Sequence, residues 1–71
     1  MAPLPNPAPE PRDDPERYVG LDADSAERQA RARGWSPVRR LPPGAIITME
    51  YLAGRLNLEV EDGTVRRSWK G

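Results

Sequence analysis

From Arg55 to Glu61 the residues alternate without a break. Leu56, Leu58 and Val60 fall on one side of an extended chain, and Arg55, Asn57, Glu59 and Glu61 fall on the other. This is the strongest strand signal in the sequence, and the rest of the chain has to pack around it. Asp62-Gly63 reads as a tight turn. Thr64 to Trp69 then returns antiparallel, with Val65, Arg67 and Trp69 predicted on one side and Thr64, Arg66 and Ser68 on the other. Upstream, Ser36 to Leu41 reads as a short strand with Val38 inward and Arg39 and Leu41 opposite. Pro37 has no N–H to give, which suits an edge or a first residue. Thirteen residues, Pro42 to Gly54, separate the two strands. A hairpin needs only about two to five, so the strands have room to run parallel, and the excess suggests that the connection has a job.

Before them lies one helix. Asp22 suits an N-cap, Asp24 the positive end, Arg31 and Arg33 the negative end, and Gly34 the closing position. Alanines at 23, 26 and 30 form a small-residue stripe that lets the helix lie close to a sheet. Glu27 and Arg31 stand four apart in the better orientation for an ion pair. An alanine face buries little area, so Tyr18, Val19, Leu21, Trp35 and the strands must supply the rest of the core. The fold class is α+β: one helix on a small mixed three-stranded sheet, with a long exposed loop between two parallel strands.

With 71 residues the chain makes one domain at most, and a chain of this size buries only about 60% of its unfolded surface. Residues 1 to 15 hold six prolines and read as a disordered, solvated tail, leaving 16 to 71 as the domain. No apolar run approaches a membrane span. No signal peptide is visible, which fits a cytoplasmic protein as it stands or a secreted one whose leader has been removed. Eleven basic and eleven acidic residues balance, well short of the excess a nucleic-acid binder shows. The pairs Arg39-Arg40 and Arg66-Arg67 could still form a basic face if their strands were adjacent.

Histidine and cysteine are absent, which removes the usual triads and dyads and the commonest metal ligands. Neither an enzyme nor a cofactor is expected. What remains is recognition of a protein by the long segment. Ala45, Ile46, Ile47, Thr48, Met49, Glu50, Tyr51 and Leu52 are too apolar for an ordinary solvated loop. An extended, exposed segment with pinned ends can lie in a protease cleft as a substrate would. Pro42 and Pro43 stiffen its start. Arg55 and Asn57 leave the following strand on one face and can reach back under it, with Thr48 and Glu50 as acceptors for the Arg55 fork. Met49 lies between those two polar residues and is free to point outward, with the scissile bond at Met49–Glu50. An unbranched methionine suits an apolar specificity pocket, which favours chymotrypsin-like and subtilisin-like serine proteases over trypsin-like ones. The plainer account has Ile47, Met49 and Tyr51 filling the core. The competing functional reading is a non-inhibitory interaction module that uses the same loop or the proline-rich tail. A monomer is expected in either case.

Pro43-Gly44-Ala45-Ile46-Ile47-Thr48-Met49-Glu50-Tyr51, followed by Arg55-Leu56-Asn57-Leu58-Glu59-Val60, resembles the potato inhibitor I family of serine protease inhibitors. The Arg-Leu-Asn-Leu-Glu-Val run is also similar to a related group of small bacterial inhibitors. Tyr18-Val19-Gly20 and the helix with Ala26 match as well, so the likeness spans about residues 16 to 71. It implies a wedge of one helix on a small mixed sheet, substrate-like inhibition, the reactive bond Met49–Glu50, and bracing of the loop by Arg55 with help from the carboxylate of Gly71. The chain departs from the plant pattern in carrying Asn57 where a second arginine stands and Leu52 in place of a common arginine. It also has Gly54 for an aspartate and Trp69-Lys70 before the final glycine.

Overall fold

A computed structural model of the chain describes residues 10–45 and 51–71. A short 3-10 helix, Pro15–Tyr18, leads to helix α1, Ala23–Ala32. Strands β1 (Val38–Leu41), β2 (Leu56–Glu61) and β3 (Thr64–Lys70) follow. They form one sheet in the order β1-β2-β3, with β1 parallel to β2 and β3 antiparallel to it.

The helix begins and ends where its sequence says it should. Asp22 accepts the Ser25 N–H at 3.1 Å, which satisfies a donor that the first turn leaves without an intrahelical partner. At the other end the Gly34 N–H reaches the Arg31 carbonyl at 3.0 Å and the Trp35 N–H reaches that of Ala30 at 3.1 Å, the bond pair of a Schellman closure. Ala23, Ala26 and Ala30 are buried. The larger share of the core comes from Tyr18, Trp35, Val38, Leu56, Leu58 and Val65, with Leu21 and Val60 partly buried against them. Each large apolar side chain taken out of water contributes about 1.5–3 kcal/mol.

Burying Tyr18 and Trp35 also buries a hydroxyl and an indole N–H, which need acceptors. One carboxylate serves both. Asp13 accepts from the Tyr18 hydroxyl and, at 2.9 Å, from the Trp35 Nε1, and its other oxygen pairs with Arg17 at 3.2 Å. Burial pushes the Asp13 carboxyl up, but the bonds from Tyr18 and Trp35 and the charges of Arg17 and Arg33 outweigh it and hold it below its ordinary value.

The pairing of β1 with β2 sets Val38 beside Leu56 and Arg40 beside Leu58 on the face that the helix covers. Arg40 there forks to Asp24 at 2.7 Å and Glu27 at 2.9 Å, tying β1 to α1. Asp62 at φ 51 and Gly63 at φ 76 turn the chain between β2 and β3, the positive pair that a two-residue hairpin of this hand requires.

One expectation changes. Alternation along β3 predicts Val65, Arg67 and Trp69 on one face, but the register slips between Glu59 and Val60, which oppose Arg67 and Val65. Arg66 is the extra residue of a bulge. Val65 therefore enters the core with Ser68, while Arg67 and Trp69 share the other face, the Arg67 guanidinium 5.4 Å from the centre of the Trp69 ring. The two arginine pairs do not lie on adjacent strands, because β2 runs between β1 and β3. Glu10 and Asp13, which precede the expected boundary at residue 16, both bond to residues of the domain.

Candidate functional site

Parallel β1 and β2 are linked by a connection that leaves the far end of β1, where Leu41 lies beside Glu59, and returns to the start of β2, where Leu56 lies beside Val38, so that its second foot is tied to the residues that lead into β1. The Ser36 N–H donates to the Gly54 carbonyl at 2.8 Å and the Leu56 N–H to the Pro37 carbonyl at 3.0 Å. Pro42 to Ala45 makes a turn closed by the Ala45 N–H on the Pro42 carbonyl at 3.2 Å. Leu52 to Arg55 makes a second, closed at 3.1 Å. Gly54 holds φ +85 in that second turn, a region that an aspartate enters only with strain. The glycine that stands for the plant pattern's aspartate thus fits this turn.

Behind the second foot stands Arg55. Its Nε and Nη2 both donate to the Gly71 oxygen, at 3.1 and 2.5 Å, and the Gly71 N–H returns to the Arg55 carbonyl at 2.9 Å. The same Gly71 oxygen accepts the Leu52 N–H at 3.3 Å. Gly71 is at φ +99, and a Cβ there would stand 2.6 Å from Cδ2 of the Tyr51 ring. Only glycine lets that ring lie against the backbone. Above the contact, Tyr51 and Leu52 remain 62% and 46% exposed, open to a partner as the core reading of Tyr51 would not allow.

Asn57 lies on the strand face away from the helix, as alternation predicts, but it is wholly buried. It accepts from Arg39 Nε at 2.8 Å and donates to the Trp69 carbonyl at 3.4 Å. It therefore links all three strands beneath the loop's end. Arg39 Nη2 is buried there with no hydrogen-bond partner among the described residues. Of the residues proposed to form or brace the loop, Ala45, Tyr51, Leu52, Arg55, Asn57 and Gly71 are placed. Ile46, Ile47, Thr48, Met49 and Glu50 lie outside the described residues. The outward methionine and the Thr48 and Glu50 acceptors lie outside them too.

Sequence reasoning missed Glu10. Its carboxylate accepts from the Tyr51 hydroxyl and pairs with Lys70 at 3.2 Å. The Tyr51 bond first, and then Lys70, hold that carboxyl below its ordinary value, and the bond correspondingly pushes the Tyr51 phenol up. A lone glutamate among prolines carries no local signal for a partner 41 residues away.

A long connection with a tied second foot on a one-helix wedge is the setting in which the relatives become informative. The profile described as the Peptidase inhibitor I78 family matches residues 16–67. The chain belongs to that family. Membership in the I78 family replaces the likeness to potato inhibitor I, while a protease-inhibitor family, and not an enzyme family, is what both point to. The elastase inhibitor AFLEI of Aspergillus flavus is 52% identical over 33 residues, 46% of this chain and 48% of that protein. The elastase inhibitor AFUEI of Aspergillus fumigatus matches at the same identity over 38% of its length. The chain thus spans about half the length, or less, of these curated relatives. Both come from fungi, so a bacterial kinship is not supported. A crystal structure of the elastase inhibitor AFUEI agrees with the I78 chain at a TM-score of 0.58 and 32% identity, covering 80% of this chain and 82% of that one. The helix on a three-stranded mixed sheet is common ground.

Proposed function

We propose that this I78 protein is a monomeric, substrate-like inhibitor of serine proteases that presents Ala45 to Leu52 to the protease cleft, with Met49–Glu50 as the reactive bond. The observation that carries the reading is the tether of the loop's second foot, where Arg55, Gly71 and Leu52 converge on one oxygen. A foot so held loses little freedom on binding, and the two ends of a cut bond stay close enough to rejoin. Asn57 adds a buried polar link across the strands in place of a second arginine.

The relatives named as elastase inhibitors support a target with an apolar pocket. Elastase-type pockets are small and chymotrypsin-type ones are deep and apolar. A flexible, unbranched methionine can enter either, and subtilisin-like enzymes remain within the same class of target. Titrating elastase, chymotrypsin, subtilisin and trypsin with the protein tests this. The expected result is tight inhibition of one or more of the first three and weak inhibition of trypsin. Met49→Lys should move the preference toward trypsin, whose pocket is acidic. No inhibition at micromolar protein, with rapid cleavage after Met49, would overturn the reading and leave a non-inhibitory interaction module in its place.

A further inference from the structure

The geometry points to Glu10 as a positioning residue for the inhibitory loop: the proline-rich segment before the domain is a clasp that holds the loop's outgoing side through Tyr51. This deepens the inhibitor reading and rests on it.

The segment is fixed at three points. Asp13 is seated on Tyr18 and Trp35, 22 residues away from the latter. Pro11 lies over the end of α1, where a Cβ on Gly34 would meet its Cγ at 3.4 Å. Glu10 reaches the Tyr51 hydroxyl with one oxygen and Lys70 with the other. Pro11 narrows the backbone choices between these points, its own and those of Glu10 before it, so the carboxylate is presented with little freedom left to lose. Tyr51 is thereby gripped at both ends, its ring against Gly71 and its hydroxyl on Glu10. Nothing in the fold itself requires this bond, because Tyr51 is 62% exposed and outside the core.

The chemistry of a substrate-like inhibitor gives the clasp its work. When the protease serine attacks the Met49 carbonyl carbon, the Met49–Glu50 C–N bond breaks. The Glu50 amine leaves with a proton from the protease histidine. If Tyr51 stays held, that amine remains beside the acyl-enzyme. It can attack the ester carbonyl, re-form the peptide bond, free the serine and return the proton. If Tyr51 is released, the amine drifts away and water completes hydrolysis.

The test compares wild type, Glu10→Ala, Tyr51→Phe and the double variant, in the full chain. In the free protein, amide exchange at Leu52 and Arg55 should rise about fivefold to tenfold in Glu10→Ala, as expected for loss of one exposed hydrogen bond. The thermal midpoint should fall by no more than about 4–8 °C. With the protease, the dissociation constant and the rate of loop cleavage should rise by a similar factor. Adding Glu10→Ala to Tyr51→Phe should change little further, since the Tyr51 donor is already gone and the pair with Lys70 that remains is a surface ion pair of small worth. Unchanged exchange and cleavage in Glu10→Ala, with wild type inhibiting, would overturn the clasp and spare the inhibitor reading. Additive effects in the double variant, or faster exchange throughout the protein, would overturn it too, by showing a general structural role. A wild type that inhibits none of the proteases, while Glu10 and Tyr51 stay coupled in exchange, would instead overturn the inhibitor reading and the resealing role with it.

Discussion

The two ends of this small protein are held by different forces. Beneath the helix, stability is apolar: Tyr18, Trp35, Leu56, Leu58 and Val65 are at most 1% exposed and pack on an alanine stripe. At the loop end almost every restraint is polar and drawn from far along the chain, with Gly71 on Arg55, Trp69 and Arg39 on Asn57, and Glu10 on Tyr51. Apolar packing is strong but indifferent to direction. Hydrogen bonds are individually modest but directional. A scaffold has only to be stable, whereas an inhibitory loop has to be aimed. Under the proposed function, the division predicts that damage at the two ends will separate into loss of fold and loss of inhibition.

The largest effect should come from the core. Leu58→Ala removes a wholly buried side chain facing the helix, and such changes cost about 2–5 kcal/mol. In a domain of this size that is a large part of the total stability. Thermal unfolding should show a fall of many degrees, yet the fraction still folded should inhibit with an unaltered constant. Arg55→Ala should do the reverse. It deletes the fork on Gly71, a loss of about 1.5–3 kcal/mol for bonds to a charged donor, and most of it should appear as faster loop cleavage by the target protease. If the midpoint falls further than for Leu58→Ala, the two ends are not separate.

Gly71→Ala is a finer probe of the same end. Its Cβ would overlap the Tyr51 ring at 2.6 Å and the residue would sit at φ +99, a backbone strain of about 1–2 kcal/mol. The ring should swing away, and the signature is weaker inhibition with a small change in midpoint. An unchanged constant would mean that the ring's seat on Gly71 contributes nothing to aiming the loop.

The scaffold was legible because its signals are local. Asp22, three alanines and Gly34 specify a helix within a dozen or so residues, and Leu56-Asn57-Leu58 specifies a strand by alternation alone. Even the parallel pairing followed from the length of the connection. The loop end was only half legible. Spacing picked out Arg55 and Asn57 as neighbours on one strand face, but it gave no sign that Gly71 would be the partner that Arg55 shows or that Asn57 would lie buried between Arg39 and Trp69. The bulge at Arg66 leaves no mark on composition, although only a slip of register can bring Val65 and Ser68, three apart, to one face. Glu10 and Asp13 were hidden by their setting. Proline-rich, acidic sequence reads as solvated tail, and nothing short of the fold reveals that Tyr18 and Trp35 need an acceptor there.

Asp13 offers the gentlest way to sharpen the comparison, because it belongs to both ends, supporting core aromatics while anchoring the segment that reaches the loop. Its carboxyl is held below the ordinary value in the folded state. The stabilisation it provides is therefore complete above its unfolded value of about 3.9 and is lost as pH falls through the folded one. A titration of the thermal midpoint below pH 5 should show a gradual decline that Asp13→Asn flattens, since an amide has no proton to take up over that range. The Glu10 carboxyl is held low in the same way, so the protection of the Leu52 amide, measured against its intrinsic exchange rate at each pH, should fall over the same acid range. If the loop loses protection before the midpoint declines, the polar end yields first and the division between the ends is real. If the two change together in wild type but separately in Asp13→Asn, the segment from Glu10 to Asp13 is the physical link between them.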